Sequence, residues 1–236
     1  LKPILKICRK KNIKVIEDAA ESLGTFYNEK YFNKKRHTGT LGDVGCLSFN
    51  GNKIISTGGG GAILTNHKKL YLLGDYLCDQ AKDDKVFSIH NNIGFNYKLS
   101  NIHSAVGCAQ LKKLNRHLLK KKIIHKNYNK LLKNNKNYEI LKPKNFFNGN
   151  NWLNILIFKN KKKKINLSRV VAIFKKNNIE IRPIWNPGHK QLPYKNFQKY
   201  ELRKVNKIVK TYLCLPSSPD LSIKDQNKIC RIIKSI

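Results

Sequence analysis

The chain has 236 residues and contains no methionine, so it lacks an initiator residue. It begins with the pattern of a helix that precedes a strand, and we therefore expect an N-terminally truncated sequence that lacks part of any active site. No apolar run is long enough to span a membrane, and no signal peptide is visible. These absences predict a cytoplasmic protein without membrane insertion. The length suits one large domain or two small ones.

The cysteines lack the patterns that would give them a special role. They form neither a C-x-x-C pair nor the spacing of a metal site, so we predict no metal centre. Several lie inside apolar runs, which predicts buried thiols in a reducing compartment. The six are Cys8, Cys46, Cys78, Cys108, Cys214 and Cys230.

Acidic residues are scarce. Asp and Glu number 14 against 48 Lys and Arg, which gives a net charge of +34. A charge this large can indicate a protein that binds polyanions. The lysines are spread over every segment, however, and the tract Lys161–Lys164 has the pattern of a loop. Bias in composition therefore explains the charge better than specific nucleic-acid binding, although weak attraction to anions would favour a nucleotide-linked substrate.

One stretch stands out, residues 43–66, with the sequence D-V-G-C-L-S-F-N-G-N-K-I-I-S-T-G-G-G-G-A-I-L-T-N. Its two apolar runs, Val44–Phe49 and Ala62–Leu64, are typical of short buried strands. Between them lie Lys53 and four glycines, which let a backbone approach a bulky group. A lysine held near apolar surface can lose its proton and act as the nucleophile that a Schiff base requires. Spacing alone also fits an ordinary lysine in a glycine-rich turn.

Carboxylates follow the first predicted strand. Residues 2–11 suit a helix, and residues 14–16 begin a strand that ends in E-D-A-A-E-S. Ligands of α/β sheets bind at the carboxyl ends of strands. We expect Asp18 to be tightly packed, and a buried carboxylate needs a cationic partner. The alternative is an aspartate that caps the next helix.

Further along, residues 24–42 predict a loop or hairpin and residues 68–77 a helix. Residues 80–88 predict a surface loop, and residues 90–100 are either an ordinary polar loop or a segment that reaches a ligand. A long helical pattern runs from Asn101 to about Leu132. Its start is small and apolar, which predicts burial, and its end is lysine-rich, which predicts exposure.

Near residues 133–150 the composition shifts to Asn, Lys and Gly, which predicts a domain boundary. Strands and helices alternate beyond it, as in a small α/β layer. The predicted elements are a strand at 152–158, a helix at 167–176, a strand at 179–184, a helix near 197–209, a turn at 215–219 and a final helix from Ser222.

Three segments occur in order: E-D-A-A-E-S-L-G, S-F-N-G-N-K-I-I-S-T-G-G-G-G-A and H-x-x-I-G-F-N-Y-K-L-S-N-I-H-S-A-V-G-C-A-Q-L. With I-R-P-I-W-x-P-x-H and C-L-P-S-S-P, they closely resemble the pyridoxal-phosphate-dependent nucleotide-sugar aminotransferases of the DegT/DnrJ/EryC1/StrS family. The resemblance implies an α/β fold of the PLP-dependent transferase type (aspartate aminotransferase-like, fold type I). Residues 1–132 would be the C-terminal part of a large cofactor-binding domain with a mixed sheet, and residues 133–236 a small C-terminal α/β domain.

The resemblance also implies roles for five residues. Lys53 matches the lysine that binds the cofactor covalently and then carries the proton. Asp18 matches the aspartate that faces the pyridine nitrogen and keeps it protonated, so that the ring can accept electrons. Ser48 matches a hydroxyl on the cofactor phosphate, and Glu21 a position beside the ring where relatives often carry glutamine or histidine. Asn96 matches an asparagine that reaches the phosphate of the neighbouring subunit's cofactor, which implies a homodimer with shared active sites.

Four further residues fall in motif stretches on the substrate side. His90, Arg182 and His189 are candidates for substrate contact. Lys98 stands where many relatives have arginine, so an anion contact there would be a point charge without the planar fork.

The most similar branch aminates C4 of UDP-4-keto-6-deoxy-N-acetylhexosamines, with L-glutamate as donor, on routes to bacillosamine and legionaminic acid. A dehydratase relative would replace the Schiff-base lysine by histidine, so Lys53 argues against it. A non-catalytic or polyanion-binding protein on the same fold stays open because of the charge. The family's N-terminal portion is absent, so we expect the isolated chain to be inactive, or unable to fold, and to show no absorbance band of bound cofactor.

Overall fold

The computed structural model describes residues 1–32, 34–159 and 165–236. The elements, in chain order, are α1 (Lys2–Lys10), β1 (Ile16–Asp18), β2 (Phe26–Tyr27), α2 (Glu29–Phe32), β3 (Arg36–His37), β4 (Val44–Ser48), β5 (Gly61–Leu64), α3 (Lys68–Cys78), α4 (Asn101–Leu131), β6 (Tyr138–Ile140), β7 (Phe147–Asn148), β8 (Asn154–Phe158), α5 (Leu167–Lys176), β9 (Arg182–Pro183), α6 (Arg203–Ile208), β10 (Tyr212–Leu215) and α7 (Ile223–Lys234). Two short 3-10 turns, Gly188–Lys190 and Leu192–Tyr194, lie between β9 and α6. The lysine tract predicted to be a loop, residues 161–164, lies outside the described residues.

The chain forms two compact units that are interleaved in sequence. Unit 1 contains Leu1–Leu118 and Pro143–Trp152, and unit 2 contains Leu119–Lys142 and Leu153–Ile236. The predicted domain boundary between residues 132 and 133 stays a prediction, because the compact units do not test it. The units themselves change over within α4, between Leu118 and Leu119, and at both ends of the segment 143–152.

The central sheet of unit 1 is mixed and has the strand order β1-β4-β5. β1 and β4 are parallel, with Asp18 opposite Cys46, and β4 and β5 are antiparallel, with Ser48 opposite Gly61. Because β1 and β4 run the same way, their last residues, Asp18 and Ser48, lie at the same edge of the sheet. A second, antiparallel sheet has the order β3-β2-β7, which confirms a hairpin within residues 24–42.

Unit 2 contains a four-stranded antiparallel sheet with the order β6-β8-β10-β9. Every second residue of β8 is buried, as expected for a strand with one face on a core. Ser222 caps α7, because its Oγ accepts a hydrogen bond from Asp225 N over 3.0 Å. The core residues are Ile124, Tyr128, Leu132, Tyr138, Ile140, Leu156, Phe158, Val170, Phe174, Ile181, Leu213, Leu215, Ile229, Cys230 and Ile233.

Most predicted elements are present. The helices predicted from residues 2, 68, 101, 167 and 222 are confirmed, and the strands around Lys53 are confirmed with slightly shorter ends. Sequence reasoning missed β6, β7 and β10. It also made β9 and α6 too long. The missed strands are short, and pairing with partners distant in sequence defines them, which local patterns do not reveal.

The burial predicted along α4 was wrong. Ile102 and Val106 near its start are 79% and 43% exposed, whereas Ile124 and Tyr128 near its end are buried. Lys121 is buried as well. The reason is tertiary: the apolar side chains at the end of the helix join the core of unit 2, while those at its start have no comparable core in unit 1.

The prediction for the cysteines was correct only in part. All six lie in described residues and are free thiols. Cys214 and Cys230 are buried, but Cys108 is exposed and the other three are half-buried. An apolar neighbourhood in sequence therefore did not guarantee burial in unit 1.

Membrane insertion has no support in the helices. Within the three described ranges, none of them combines the length and the apolar character that a membrane span requires.

Candidate active site

Lys53 lies on the turn between β4 and β5, as predicted. Its N–H donates to Asn50 O over 3.0 Å, and the two residues after it, Ile54 and Ile55, are buried. His117 Nδ1 lies 3.2 Å from Ile54 O and holds the turn from the side of α4. Lys53 belongs to a turn and not to a strand, but the buried side chains of Ile54 and Ile55 hold its main chain in place.

The amine of Lys53 is largely covered. Only 11% of the side chain is exposed. Nζ forms an ion pair with Oε1 of Glu21 and lies 4.9 Å from the ring centroid of Trp152, in a cation–π contact. The lysine is thus held against apolar surface, as the sequence predicted, and beside a carboxylate that the sequence placed near the cofactor.

Asp18 lies at the predicted sheet edge but is not tightly packed. It is exposed, and its Oδ1 accepts one hydrogen bond, from Ala20 N over 3.1 Å. No described residue forms an ion pair with it, and no helix begins next to it. The expectation of a buried, paired carboxylate was therefore wrong, and so was the helix-capping alternative.

The preceding residue, Glu17, takes the structural role instead. Its carboxylate accepts hydrogen bonds from the N–H groups of Gly39, Leu41 and Gly42, at 3.0, 2.5 and 2.7 Å. Successive side chains of a strand point to opposite faces. Glu17 therefore braces the loop before β4, while Asp18 is left accessible at the end of β1.

The glycine loop needs its glycines. Gly58 and Gly60 both have φ of +85°, a conformation that side chains rarely adopt. A Cβ at Gly60 would come within 2.6 Å of Leu99 Cδ1. At Gly51 and Gly59, in contrast, a Cβ would meet nothing within 4 Å, so both loops border open space.

Asn96 and Lys98 line a cavity of about 860 Å³ in unit 1, together with the glycine loop and α3. Lys98 Nζ lies 3.0 Å from Asp75 Oδ1 and 3.9 Å from Asp79 Oδ2. The hydrogen bond that Lys98 donates to Asp75, together with the negative charges of Asp75 and Asp79, raises the pKa of Lys98. Its positive charge is therefore already partly balanced within the chain. Neither residue contacts the Lys53–Glu21 pair among the described contacts.

The other substrate candidates are dispersed. His90 is exposed, and its Nδ1 lies 2.7 Å from Gln80 O. Arg182 and His189 belong to unit 2, where Arg182 Nε donates to Glu180 Oε1 over 2.8 Å and His189 Nε2 lies 3.3 Å from Asn206 Oδ1. Their roles stay predictions, as do those of the cofactor residues.

Sequence reasoning missed two residues, Asn150 and Trp152, that contact the Glu21 and Lys53 segments although they lie far from them in sequence. Trp152 Nε1 donates to Asn52 O over 2.7 Å, across one hundred positions of sequence. Asn150 donates to the main chain at Glu21. A tryptophan at the predicted domain boundary was the only signal, and it did not point to Lys53.

Comparison with known proteins gives one family. The model of the DegT/DnrJ/EryC1/StrS aminotransferase family matches residues 1–234. EpsN of Bacillus subtilis (strain 168), whose name describes a proposed pyridoxal phosphate-dependent aminotransferase, is 33% identical over 98% of this chain and 58% of its own length. The GDP-perosamine synthase of Escherichia coli O157:H7 is 31% identical over 99% of this chain and 61% of its own. The chain thus spans less than two thirds of these relatives.

A solved structure has the same fold. Helicobacter pylori PseC, an aminotransferase involved in the biosynthesis of pseudoaminic acid, superposes with a TM-score of 0.88 at 23% identity. The match covers 99% of this chain and 62% of that one.

Proposed function

Because this chain belongs to the DegT/DnrJ/EryC1/StrS aminotransferase family, we propose that it carries the catalytic lysine, Lys53, of an enzyme that aminates a nucleotide-linked keto sugar. Family membership confirms the fold class and the cofactor class predicted from the sequence. One observation carries the proposal. The side chain of Lys53 is 11% exposed, its turn is fixed by the buried residues Ile54 and Ile55, and its amine is paired with Glu21.

The residues fit pyridoxal phosphate. The cofactor needs an amine for its aldehyde, a carboxylate for its ring nitrogen and hydroxyl or N–H donors for its phosphate. Lys53 would provide the amine, Asp18 the carboxylate, and Ser48 with the nearby turn the donors. Asp18 and Ser48 end adjacent parallel strands, and the turn after them borders open space at Gly51. The exposure of Asp18 suits a group that receives a ligand better than a buried ion pair would.

When bound, pyridoxal phosphate supplies an electrophilic aldehyde and a ring that accepts electrons. In the ligand-free protein the amine of Lys53 is paired with Glu21, and Nζ would have to leave this pair before it acts as a nucleophile. In the first half-reaction Nζ would take the proton from the α-carbon of the amino donor and pass it to the cofactor, and in the second it would carry a proton from the cofactor to the sugar carbon that receives the amino group. Asp18 would hold a proton on the ring nitrogen throughout.

The substrate proposed is a UDP-4-keto-6-deoxy-N-acetylhexosamine, with L-glutamate as the amino donor, for bacillosamine- or legionaminic-type glycans. Support comes from the sequence resemblance. The name of one relative, GDP-perosamine synthase, favours a GDP-linked sugar instead. The cytoplasmic location predicted from the sequence belongs to the same proposal.

A homodimer is part of the proposal because unit 1 exposes a large apolar surface between α3 and the first turns of α4. Val86, Phe87, Ile93 and Ile102 are 85%, 78%, 86% and 79% exposed. Exposed clusters of large apolar side chains mark interaction sites. Asn96 lies in the same stretch, where a second copy would bring it to the partner's cofactor.

The test uses the protein at its full natural length, supplied with pyridoxal phosphate, L-glutamate and a panel of UDP- and GDP-linked 4-keto-6-deoxy sugars. Amino-sugar products are identified by mass spectrometry. We expect Lys53→Ala to lower turnover by at least about 10³-fold, because it removes the group that transfers the proton. Lys68→Ala, at an exposed lysine of α3, is the matched control and should keep full activity.

Comparable turnover in Lys53→Ala would refute the catalytic role. Preference for a GDP-linked sugar would replace the proposed substrate while leaving the aminotransferase assignment in place.

A further inference from the structure

Residues 143–152, which we call the strap, belong to unit 1, although the residues before and after them in sequence belong to unit 2. Within the strap, β7 pairs with β2, and Asn28 N donates to Phe146 O over 3.0 Å. This pairing fixes the first part of the strap on the second sheet of unit 1. Its last three residues then reach the segments that carry Glu21 and Lys53.

Asn150 holds the Glu21 segment. It is 8% exposed, and its Nδ2 donates to Glu21 O and Leu23 O, at 2.9 and 3.0 Å. Its main-chain N–H donates to Thr25 Oγ1 over 3.1 Å. Both donor hydrogens of the amide are therefore used on carbonyls of one short turn, which fixes the main chain from which the Glu21 carboxylate projects.

Trp152 holds the Lys53 turn. Its Nε1 donates to the carbonyl of Asn52, the residue directly before Lys53, over 2.7 Å. Its ring faces Lys53 Nζ at 4.9 Å. The main-chain N–H of Trp152 donates to Asn150 Oδ1 over 3.0 Å, so the two strap residues are themselves linked.

We propose that Asn150 and Trp152 are positioning residues for the Glu21–Lys53 pair. Asn150 fixes the main chain of Glu21, and Trp152 fixes the main chain before Lys53 while its ring covers the amine. The contacts form a closed loop of interactions: Asn150 binds the main chain of Glu21, Glu21 pairs with Lys53, and Trp152 contacts both Lys53 and Asn150. These interactions keep Nζ of Lys53 in one position when Nζ is not bonded to a cofactor.

This inference rests on the proposed function for its catalytic consequence, but the positioning itself is a property of the ligand-free protein. A purely structural role for the strap would affect the folding of unit 1 without a selective effect on Lys53. The exposure of the Lys53 amine, relative to other lysines of the same molecule, separates the two possibilities.

The experiment is competitive amine labelling of the ligand-free, full-length protein, with the rate of each lysine read by mass spectrometry. Trp152→Leu should raise the labelling rate of Lys53 about tenfold relative to Lys68, because the aromatic face is lost. Trp152→Phe keeps a ring but loses the Nε1–H donor to Asn52 O, and should raise the labelling rate of Lys53 by less than Trp152→Leu, about threefold. Asn150→Asp removes both amide donors with little change in shape and should raise the rate about threefold.

Phe147→Leu is the matched control, since it removes an aromatic ring from the strap without touching Lys53 or Glu21. It should leave the relative labelling of Lys53 unchanged. If Trp152→Leu does not fold, Trp152→Phe still decides: unchanged labelling of Lys53 in that variant would mean that the hydrogen bond from Nε1 to Asn52 O does not hold the turn, and would overturn the inference. Unchanged labelling in a folded Trp152→Leu would do the same.

Turnover measurements then distinguish a failure of the proposed function from a failure of the positioning role. In an active wild type, Trp152→Leu should lower kcat about tenfold or more and leave KM for the sugar within about twofold, because the amine is misplaced while the sugar contacts persist. If the wild type transaminates nothing but Trp152→Leu still releases Lys53 to the reagent, the proposed function fails and the positioning stands. An active wild type with unchanged labelling and unchanged kcat in Trp152→Leu would sink the positioning alone.

Discussion

The two units bury their side chains very differently. Among the described residues, unit 1 contributes only Leu5, Ala19, Ile54, Ile55 and Ala81 to the buried hydrophobic side chains, and the others all lie in unit 2. Yet unit 1 carries Lys53, Glu21 and the glycine loop. Unit 2 has a continuous core, whereas unit 1 has a site and a large exposed apolar surface.

This difference shows that the main hydrophobic core and the candidate active-site residues lie in different units of the chain. Unit 2 packs one face of its strands and helices on a core made of its own residues, so its apolar side chains find partners. In unit 1 few apolar side chains are buried, among them Ile54 and Ile55 of the Lys53 turn, and several large apolar side chains are exposed.

The largest expected effect concerns the core of unit 2. Phe174 is fully buried there, so Phe174→Ala should lower the free energy of unfolding by about 3–5 kcal/mol. Phe87→Ala in unit 1 is the matched change at a side chain that is 78% exposed, and should alter it by less than about 0.5 kcal/mol. Urea denaturation followed by circular dichroism measures both. Equal losses would break the comparison.

The second prediction uses pH to isolate unit 2. Burial lowers the pKa of Lys121 to about 8 from its ordinary 10.5. Between these values the unfolded chain holds this proton and the folded chain does not, so the contribution of Lys121 to stability rises with pH across this window. Below pH 8 the full cost of burying the charge is present, at most about 3 kcal/mol.

Lys121→Met should remove this rise, and Lys122→Met, at the exposed neighbouring position, should keep it. Unfolding free energies measured at pH 8 and pH 10.5 in all three proteins decide the matter. A rise that persists in Lys121→Met would assign it to another group.

The third prediction sharpens the contrast in surfaces. Ile93→Asp places a charge on the exposed apolar surface of unit 1 and should raise the dissociation constant of the proposed dimer at least about thirtyfold. Leu192→Asp makes the same change in unit 2, at a side chain that is 84% exposed, and should leave it unchanged. Sedimentation velocity over a concentration series compares them. A monomeric wild type would remove the proposed role of this surface.

The smallest effect lies in the glycine loop of unit 1. Gly60→Ala forces a side chain into φ of +85° and against Leu99, which should cost about 1–2 kcal/mol. Gly59→Ala enters open space and should change stability by less than about 1 kcal/mol. Thermal unfolding compares the stability of these two variants, which differ by one position in the loop. Equal losses of stability would mean that the positive φ of Gly60 is not the reason for the loss.

Local pattern determined much of this protein. Helical periodicity located α1, α3, α4, α5 and α7, and two short apolar runs around Lys53 predicted β4 and β5. The carboxylates were predicted at the carboxyl end of a strand, and the parallel pairing of β1 with β4 places Asp18 at the sheet edge where β4 also ends. The ordered motifs were specific enough to identify the family, because a lysine, a glycine loop and a carboxylate at fixed places serve one chemistry.

Tertiary structure alone decided which neighbours those residues have. Asp18 is open and Glu17 is braced, because the pleat and the loop before β4 set which carboxylate meets backbone N–H groups. Ile102 and Val106 at the start of α4 are exposed, and Ile124 and Tyr128 in its lysine-rich end are buried, because burial depends on which unit offers a core. Trp152 reaches Lys53 from a hundred positions away, and no local pattern encodes a contact that only the folded chain closes.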